Sequence, residues 1–274
     1  MKFNFIVILF NIILLLFFAV LGFLPYYILG PSFSSSFWRM NWPFVLVWAF
    51  LFFAFNIFYF INRKLLLLLE REDWPALVRF LEDKVIMQGR YSPRLVRLLA
   101  NSYLVLSDSA AVMSLENKVA IAKPALVDEN TLVFGTARIL GNDISGALRF
   151  FRIRKDKVKS KLSEWVNWYY GFTLLLDRQF EESLEVFSLL ARISRDSIVT
   201  ALSSYFLFKN IIFVPLEKKR EFRESSTFGR GRALKTLPNI KAWHRKTARL
   251  SAEIHGAVVW KYLEDAGTWL YREE

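Results

Sequence analysis

Cysteine is absent from this 274-residue chain, and histidine occurs only twice. The first absence excludes disulfide bonds, cysteine-ligated zinc and thiol catalysis. The two histidines, His244 and His255, are eleven residues apart. Along a helix this is about 16 Å, too far for them to share a metal ion. Glycine and proline are scarce and apolar residues recur every three or four positions, so the sequence predicts an all-α fold.

Acidic residues are missing from residues 1–62, which hold only two basic side chains. Two apolar runs, Phe3–Leu24 and Phe44–Ile61, occupy most of this segment, and Gly30–Ser36 lies between them. A helix that spans a bilayer needs about 18 or more apolar residues. The sequence therefore predicts a transmembrane helical hairpin, with two transmembrane helices and a short loop between them.

Basic residues flank the two runs unevenly. Lys2 precedes the first run and Arg63–Lys64 follow the second, whereas the segment between the runs holds only Arg39. Because basic residues are retained on the cytoplasmic side, we expect an integral protein of the bacterial inner membrane with its soluble body in the cytoplasm. A cleaved signal peptide is less favoured, since the first run exceeds the usual apolar stretch of about 7–15 residues.

Each apolar run contains one asparagine, Asn11 in the first and Asn56 in the second. One interpretation is a polar contact between membrane helices, either within the hairpin or to a partner. The other is an amide that is satisfied locally by its own helix. Since hydrogen bonds between membrane helices average only about 0.6 kcal/mol, the sequence favours neither interpretation.

The body of the chain carries an internal repeat. Gly135 and Gly171 are 36 residues apart, and so are Phe151 and Phe187; Ala147 and Ser183 match at the same interval. The pattern resembles the tetratricopeptide repeat (TPR) family, in which small residues let two helices approach and a Phe fills their junction over a period of about 34 residues. The resemblance covers about residues 66–210, although Glu116 occupies one position where that family has Phe.

The resemblance implies a TPR-like α-solenoid over residues 63–216, with a concave groove that binds partner proteins. The residues expected in this groove are Arg97, Asn101, Trp165, Trp168 and Phe172. Arg97 and Asn101 look like the pair that grips a peptide carboxylate in some TPR proteins, but Val133, Trp165 and Tyr169 cannot complete such a clamp. The aromatic stripe has a second interpretation, in which the chain's own C-terminal helix covers it.

Basic residues dominate the last third of a chain whose net charge is +12. Residues 217–238, rich in Ser, Gly and Arg, are predicted to form a basic loop, and residues 239–274 an amphipathic C-terminal helix that caps the solenoid. We expect these segments to bind anionic lipid or an acidic partner. The residues assigned to that role are Lys218, Lys219, Arg220, Arg223, Arg230, Arg232, Lys241 and Arg245. Nucleic acid is disfavoured because no reader motif accompanies the charge.

No phosphate-binding loop, dinucleotide fingerprint, nucleophile elbow or metalloprotease motif occurs in the sequence. We therefore expect no enzymatic activity, no cofactor and no metal. The sequence predicts a membrane-anchored adaptor or scaffold that binds proteins through its solenoid. The alternative is a structural subunit of a membrane-embedded assembly, with the hairpin as its main interface. In that case Asn11, Asn56 and the run Phe50–Phe55 would form the contact surface.

Overall fold

The chain is helical throughout the part described by its computed structural model, which comprises residues 2–158, 162–251 and 254–272. Within these ranges there is no β-strand, which confirms the predicted all-α class. The α-helices are α1 (Lys2–Glu70), α2 (Trp74–Glu82), α3 (Pro93–Val105), α4 (Ser109–Ala122), α5 (Ala125–Glu129), α6 (Thr131–Leu140), α7 (Ile144–Arg154), α8 (Ser163–Leu176), α9 (Phe180–Ile193), α10 (Ser197–Asn210), α11 (Leu216–Thr236), α12 (Ile240–Ser251) and α13 (Ile254–Leu270). A π-helical turn, Asp83–Met87, follows α2, and a 3₁₀ turn, Ile211–Phe213, follows α10. The chain divides into two compact units, Met1–Phe80 and Leu81–Glu274.

The N-terminal unit contains α1, which is broken at Gly30 (φ 82°, ψ 170°) into two arms, Phe5–Ile28 and Gly30–Glu70. Both arms are long and apolar enough to cross a membrane, and none of the residues in their most apolar stretches is buried. The predicted short loop is wrong in its extent, because only Gly30 departs from helical geometry. Pro31, with its fixed φ, suits the first position of the second arm, so the helix restarts at once.

The two arms contact each other through amides and aromatic rings. The side chains of Asn11 and Asn56 exchange two hydrogen bonds of 2.8 and 3.2 Å, and each also donates to a carbonyl oxygen of its own arm. Phe10 stacks obliquely on Phe55, with ring centroids 4.3 Å apart. Both interpretations of these asparagines therefore apply, because the two amides bond to each other within the hairpin and each also bonds to its own arm.

The second arm continues without a break to Glu70, beyond the end of its apolar run. After a short turn, α2 folds back along it, and Lys64 Nζ lies 5.1 Å from the centroid of the Phe80 ring. The N-terminal unit consequently extends to Phe80, past the predicted hairpin boundary at residue 62.

A single type of turn joins the first and second helices of four successive pairs. One residue in each turn has a positive φ: Glu72, Ser107, Asn142 and Arg178, at intervals of 35, 35 and 36 residues. In each turn the following residue donates its N–H to the carbonyl oxygen five residues earlier, as in a Schellman motif. In three of them that following residue is an aspartate that caps the next helix: Asp73, Asp108 and Asp143.

The repeat found in the sequence has the same packing in two of these pairs. A Cβ atom on Gly135 would lie 2.1 Å from the ring of Phe151, and one on Gly171 would lie 3.0 Å from the ring of Phe187. Close approach of the helices thus depends on glycine at position 135, and at position 171 a Cβ would require the Phe187 ring to shift slightly. Where the pattern loses its Phe, Glu116 is buried and forms an ion pair with Arg138.

The C-terminal region departs from the prediction in two ways. Residues 217–238, expected to be a loop, lie almost entirely in α11, and the expected single helix at residues 239–274 is the pair α12 and α13. Residues 252–253 and 273–274 fall outside the described residues. The loop prediction is wrong because Ser225, Ser226 and Gly229 are needed for close helix packing rather than for a turn. All three are buried, and a Cβ on Gly229 would lie 2.1 Å from Ser204 Oγ of α10.

Candidate functional site

The aromatic residues predicted to line a groove are core residues. Trp165, Trp168 and Phe172 project from α8 with only 5%, 0% and 3% of their surface exposed. Trp168 stacks on Phe172 with ring centroids 5.2 Å apart and meets Phe206 of α10 edge-on. The prediction that these three side chains receive a partner is therefore corrected, because nearly all of their surface is covered by the chain itself.

Helix α13 covers this aromatic cluster. Tyr262 places its ring 5.5 Å from Phe172 and 5.1 Å from Phe206. At the next turn, Asp265 accepts a hydrogen bond of 3.2 Å from Tyr205 and lies 3.8 Å from the ammonium of Lys209. The chain's own C-terminal segment thus occupies the faces of α8 and α10, and α13 packs on α6 as well. This arrangement corresponds to the second interpretation of the aromatic stripe, in which the chain's own C-terminal helix covers it.

The basic end of the predicted groove lies on α3. Arg97 is exposed, yet its guanidinium donates to Asn130 Oδ1 at 3.3 Å and to the carbonyl oxygen of Glu129 at 3.2 Å. It thereby stabilises the C-terminal end of α5. Asn101, one turn further along α3, is half-buried, and Arg94 is exposed one turn before Arg97. Among the described residues, Arg94 and Arg97 thus remain exposed on this face of α3, unlike the aromatic residues of α8.

Two of the predicted lipid-binding cations are neutralised by acidic side chains. Lys218 Nζ contacts carboxylate oxygens of both Glu181 and Glu185, at 2.5 and 2.6 Å, and these contacts raise the pKa of Lys218. Arg220 pairs with Glu224 one turn along α11, with Nε 3.0 Å from the carboxylate. An anionic surface would have to compete with these carboxylates.

Two further cations have structural partners. Arg232 donates three hydrogen bonds of 2.6–2.9 Å to the carbonyl oxygens of Ala191, Arg192 and Ser194, at the C-terminal end of α9. Arg230 does the same for α13, donating to the carbonyl oxygens of Leu270 and Arg272. These carbonyl groups have no partner within their own helices, so the two arginines act as C-terminal caps.

The remaining four predicted cations, Lys219, Arg223, Lys241 and Arg245, form no ion pair within the part of the chain that the structure describes. Arg223, Lys241 and Arg245 are exposed, and Lys219 is half-buried. These four cations lie on two helices. Lys219 and Arg223 belong to α11, and Lys241 and Arg245 belong to α12.

Sequence reasoning missed the structural role of Glu164, in the first turn of α8. Its carboxylate accepts hydrogen bonds from the Ser194 hydroxyl and from the backbone N–H groups of Arg195 and Asp196. Burial acts to raise the pKa of Glu164, but these hydrogen bonds outweigh it and hold the pKa below its ordinary value. The neighbouring Trp165 donates its indole N–H to Asp196 Oδ2 at 3.2 Å. A lone glutamate before an aromatic stripe carries no sequence signal for such a role.

Among the described residues, no group of three or more His, Asp or Glu side chains is placed to hold a metal ion. His244 is exposed on α12, and the side chain of His255 falls outside the described part of the chain.

Comparison with known proteins places this chain in a family. Residues 111–272, more than half of the chain, match a family described as an uncharacterised Treponema protein. The chain is also similar to an uncharacterised protein of Treponema pallidum (strain Nichols). The two are 28% identical over 281 residues, which cover 99% of this chain and 88% of the relative. The matched region runs from α4 to α13 and so includes the covered aromatic cluster, both arginine caps and Glu164. Because the match covers more than half of the chain, the chain belongs to this Treponema protein family.

Proposed function

We propose that the protein is a membrane-anchored adaptor whose helical-repeat body binds partner proteins. The observation that carries this proposal is the second arm, Gly30–Glu70, a single helix of 41 residues. At about 1.5 Å per residue it is about 60 Å long, roughly twice the apolar thickness of a bilayer. Its apolar part suits a membrane, and its C-terminal part extends beyond to form the first helix of the first pair.

The proposed body is a TPR-like solenoid. Two features support this proposal: the positive-φ turn that recurs at intervals of 35 or 36 residues, and the Gly–Phe contacts in two successive pairs. In a solenoid each pair buries its apolar face against its neighbours, so the ends need a cap. Helix α13 instead packs across successive pairs, where it covers faces of α6, α8 and α10.

We place the partner site on α3. The faces of α8 and α10 are occupied by α13, whereas Arg94 and Arg97 are exposed on α3, and Asn101 and Leu104 are half-buried beside them. Two cations next to an amide and an apolar side chain suit a partner segment that ends in a carboxylate or carries acidic residues. The proposed role is binding, with no chemistry performed on the partner.

The alternative role, a structural subunit held by its hairpin, has one observation in its favour. Phe50 and Phe53 are exposed on the second arm and offer an apolar surface to another membrane helix. The asparagines contribute less to this alternative than the sequence suggested, because Asn11 and Asn56 satisfy each other within the hairpin. The adaptor is therefore the better-supported proposal.

Crosslinking from membranes, followed by affinity purification, separates the two roles. The native chain is compared with a variant whose residues 1–62 are replaced by an unrelated two-helix anchor. An adaptor retains its crosslinked partners after the replacement, whereas an assembly subunit loses them while its body stays folded.

A charge reversal then tests the site. In the adaptor, Arg94→Glu reduces partner recovery, because it reverses an exposed charge on α3. The matched control is Lys118→Glu, which makes the same charge change at an exposed position on α4. Equal recovery with both variants would remove α3 from the proposal.

A further inference from the structure

The longest acid-free stretch of the body runs from Ser225 to Ala252. It holds seven lysine and arginine residues and no aspartate or glutamate. It covers most of α11, all of α12 and the connection between them. Since Glu217, Glu221 and Glu224 lie among the cations in the first half of α11, this second half is a distinct electrostatic region.

Two contacts bring this stretch to the connection between α9 and α10. Arg232 of α11 binds the carbonyl oxygens at the end of α9, and Lys246 of α12 donates to Ser197 Oγ at 2.6 Å. Lys235 lies one turn after Arg232, and Lys241 and Arg245 lie within two turns before Lys246. Lys235, Lys241 and Arg245 are exposed within two helical turns of these contacts, and Arg195 is exposed on the connection itself.

The acidic side chains at this connection are engaged in structural bonds. Glu164 accepts hydrogen bonds from Ser194, Arg195 and Asp196, and Asp196 accepts from the Trp165 indole and caps α10. Both carboxylates keep their negative charge, and Asp196 lies 4.0 Å from the ammonium of Lys246, so they offset part of the positive charge here. Lys235, Lys241 and Arg245 are exposed and form no ion pair among the described residues.

Exposed apolar side chains lie among these cations. Ile193, between Arg192 and Arg195, is 63% exposed, and Ile240, beside Lys241, is 41% exposed. Aliphatic side chains interleaved with cations suit the interface of an anionic bilayer, where the cations meet headgroups and the aliphatic groups enter the acyl boundary. An acidic protein or a nucleic acid would use the charge but would leave the isoleucines unexplained.

We infer that Arg195, Lys235, Lys241 and Arg245, together with Ile193 and Ile240, form a surface that docks on anionic phospholipid. We name it the basic edge. The inference rests on the proposed membrane anchoring and deepens it by assigning a lipid-facing surface to the body. It also transfers the predicted lipid contact away from Lys218, Arg220, Arg230 and Arg232, whose charges are used within the fold.

The absence of cysteine allows a direct test. A fluorophore is attached to the full chain through Thr236→Cys, an exposed position beside Lys235. The chain is then placed in nanodiscs that carry a headgroup nitroxide quencher. One set contains phosphatidylcholine alone, and the other an equal mixture of phosphatidylcholine and phosphatidylglycerol. We expect stronger quenching in the anionic discs, and loss of the difference at high salt. The same label at Ser114→Cys, exposed on α4, should show no such difference.

A triple charge reversal with a matched control completes the test. Each cation near an anionic surface strengthens attraction by roughly fivefold. Arg195→Glu, Lys241→Glu and Arg245→Glu together should therefore bring the ratio of quenching between the two discs to about one. Lys118→Glu, Lys219→Glu and Arg223→Glu make the same change in net charge elsewhere and should leave the ratio unchanged. Near-UV circular dichroism verifies that both variants are folded.

Equal quenching of the wild-type chain in both discs overturns the inference, and so does an equal loss in the two triple variants. If the wild-type chain is quenched equally in both discs but binds a polyglutamate peptide through the basic edge, the surface belongs to an acidic partner and the inference fails. Failure of the chain to enter either disc contradicts the proposed anchoring instead, which separates the two proposals.

Discussion

At the scale of single residues, several charged side chains act on helix ends. Arg230 and Arg232 donate to carbonyl oxygens that end α13 and α9, and Glu164 accepts from N–H groups that precede α10. Such backbone groups have no partner inside their own helix, and leaving them unsatisfied is costly. Charge on this surface is therefore a poor guide to ligand binding until each partner has been identified.

The arginine cap of α9 gives a first prediction. Arg232→Met removes three hydrogen bonds to carbonyl oxygens, so we expect the free energy of unfolding to fall by about 2 kcal/mol. Arg223→Met, on the same helix at an exposed position, should change it by less than about 0.5 kcal/mol. Thermal unfolding in detergent, followed by circular dichroism, measures both. Similar values for the two variants would contradict the capping role.

The depressed pKa of Glu164 gives a second prediction, on pH dependence. Because its folded pKa lies below its unfolded pKa of about 4.3, the stabilisation by Glu164 is present above that value and is lost as pH falls through the folded pKa. At neutral pH we expect Glu164→Gln to cost about 1 kcal/mol, a value that allows for solvent screening at a half-buried site.

The measurement compares melting temperatures of the wild type and Glu164→Gln between pH 7 and pH 3. Their difference should shrink steadily below about pH 4.5. Glu217→Gln, at an exposed position, serves as the control and should track the wild type throughout. A difference that is independent of pH would mean that the carboxylate charge plays no part.

At the scale of helices, α11 depends on small residues for its packing. The Cβ of Gly229→Ala would lie 2.1 Å from Ser204 Oγ and 2.9 Å from Ala191 Cβ, whereas that of Gly231→Ala would meet nothing within 4 Å. We expect the first variant to cost about 1–3 kcal/mol through overpacking, and the second to stabilise by about 0.5–1 kcal/mol through helix propensity. Denaturant unfolding of both variants measures these values. If neither substitution changed the free energy of unfolding, the result would favour the prediction that residues 217–238 form a loop.

The paired asparagines connect the two arms of α1. Asn11→Leu and Asn56→Leu should each weaken the hairpin, and the double variant should lose less than the sum of the single losses. We expect a coupling of about 0.6 kcal/mol, the average for such bonds between membrane helices. A double-mutant cycle of unfolding in detergent gives this quantity. Strictly additive losses would show that the reciprocal bonds do not form in the folded hairpin.

These helices also show what the sequence could predict. Periodicity and side-chain size can be read directly from a sequence. The long apolar runs therefore predicted the hairpin arms, and the Gly–Phe interval predicted the pairs α6–α7 and α8–α9. The repeated turn was not, because Glu72, Ser107, Asn142 and Arg178 share a backbone conformation but no side-chain type. Residues 217–238 were mistaken for a loop because Ser and Gly favour turns when isolated, yet allow close packing when they recur on one helix face.

The candidate site was harder to predict than the fold. Trp165, Trp168 and Phe172 were found as a stripe, but only the position of Tyr262, about ninety residues further along the chain, decides that the stripe is covered. The basic residues were found as a run, and their division into capping, paired and exposed groups depends on carbonyl groups that sequence does not specify. Tertiary contacts of this kind lie beyond any local pattern.

At the scale of the whole molecule, the central proposal is that the apolar hairpin holds the body at a membrane. Accessibility of single cysteines tests this most directly, because the native chain has none. Ser36→Cys lies between the two apolar runs and Ser114→Cys lies in the body, and both positions are exposed. Each variant is treated with a membrane-impermeant maleimide, in intact cells and in inverted membrane vesicles. The account predicts labelling of position 36 only in cells and of position 114 only in inverted vesicles, on a chain that retains its hairpin. Labelling of both positions from the same side, or a chain shortened by loss of the first arm, would contradict it.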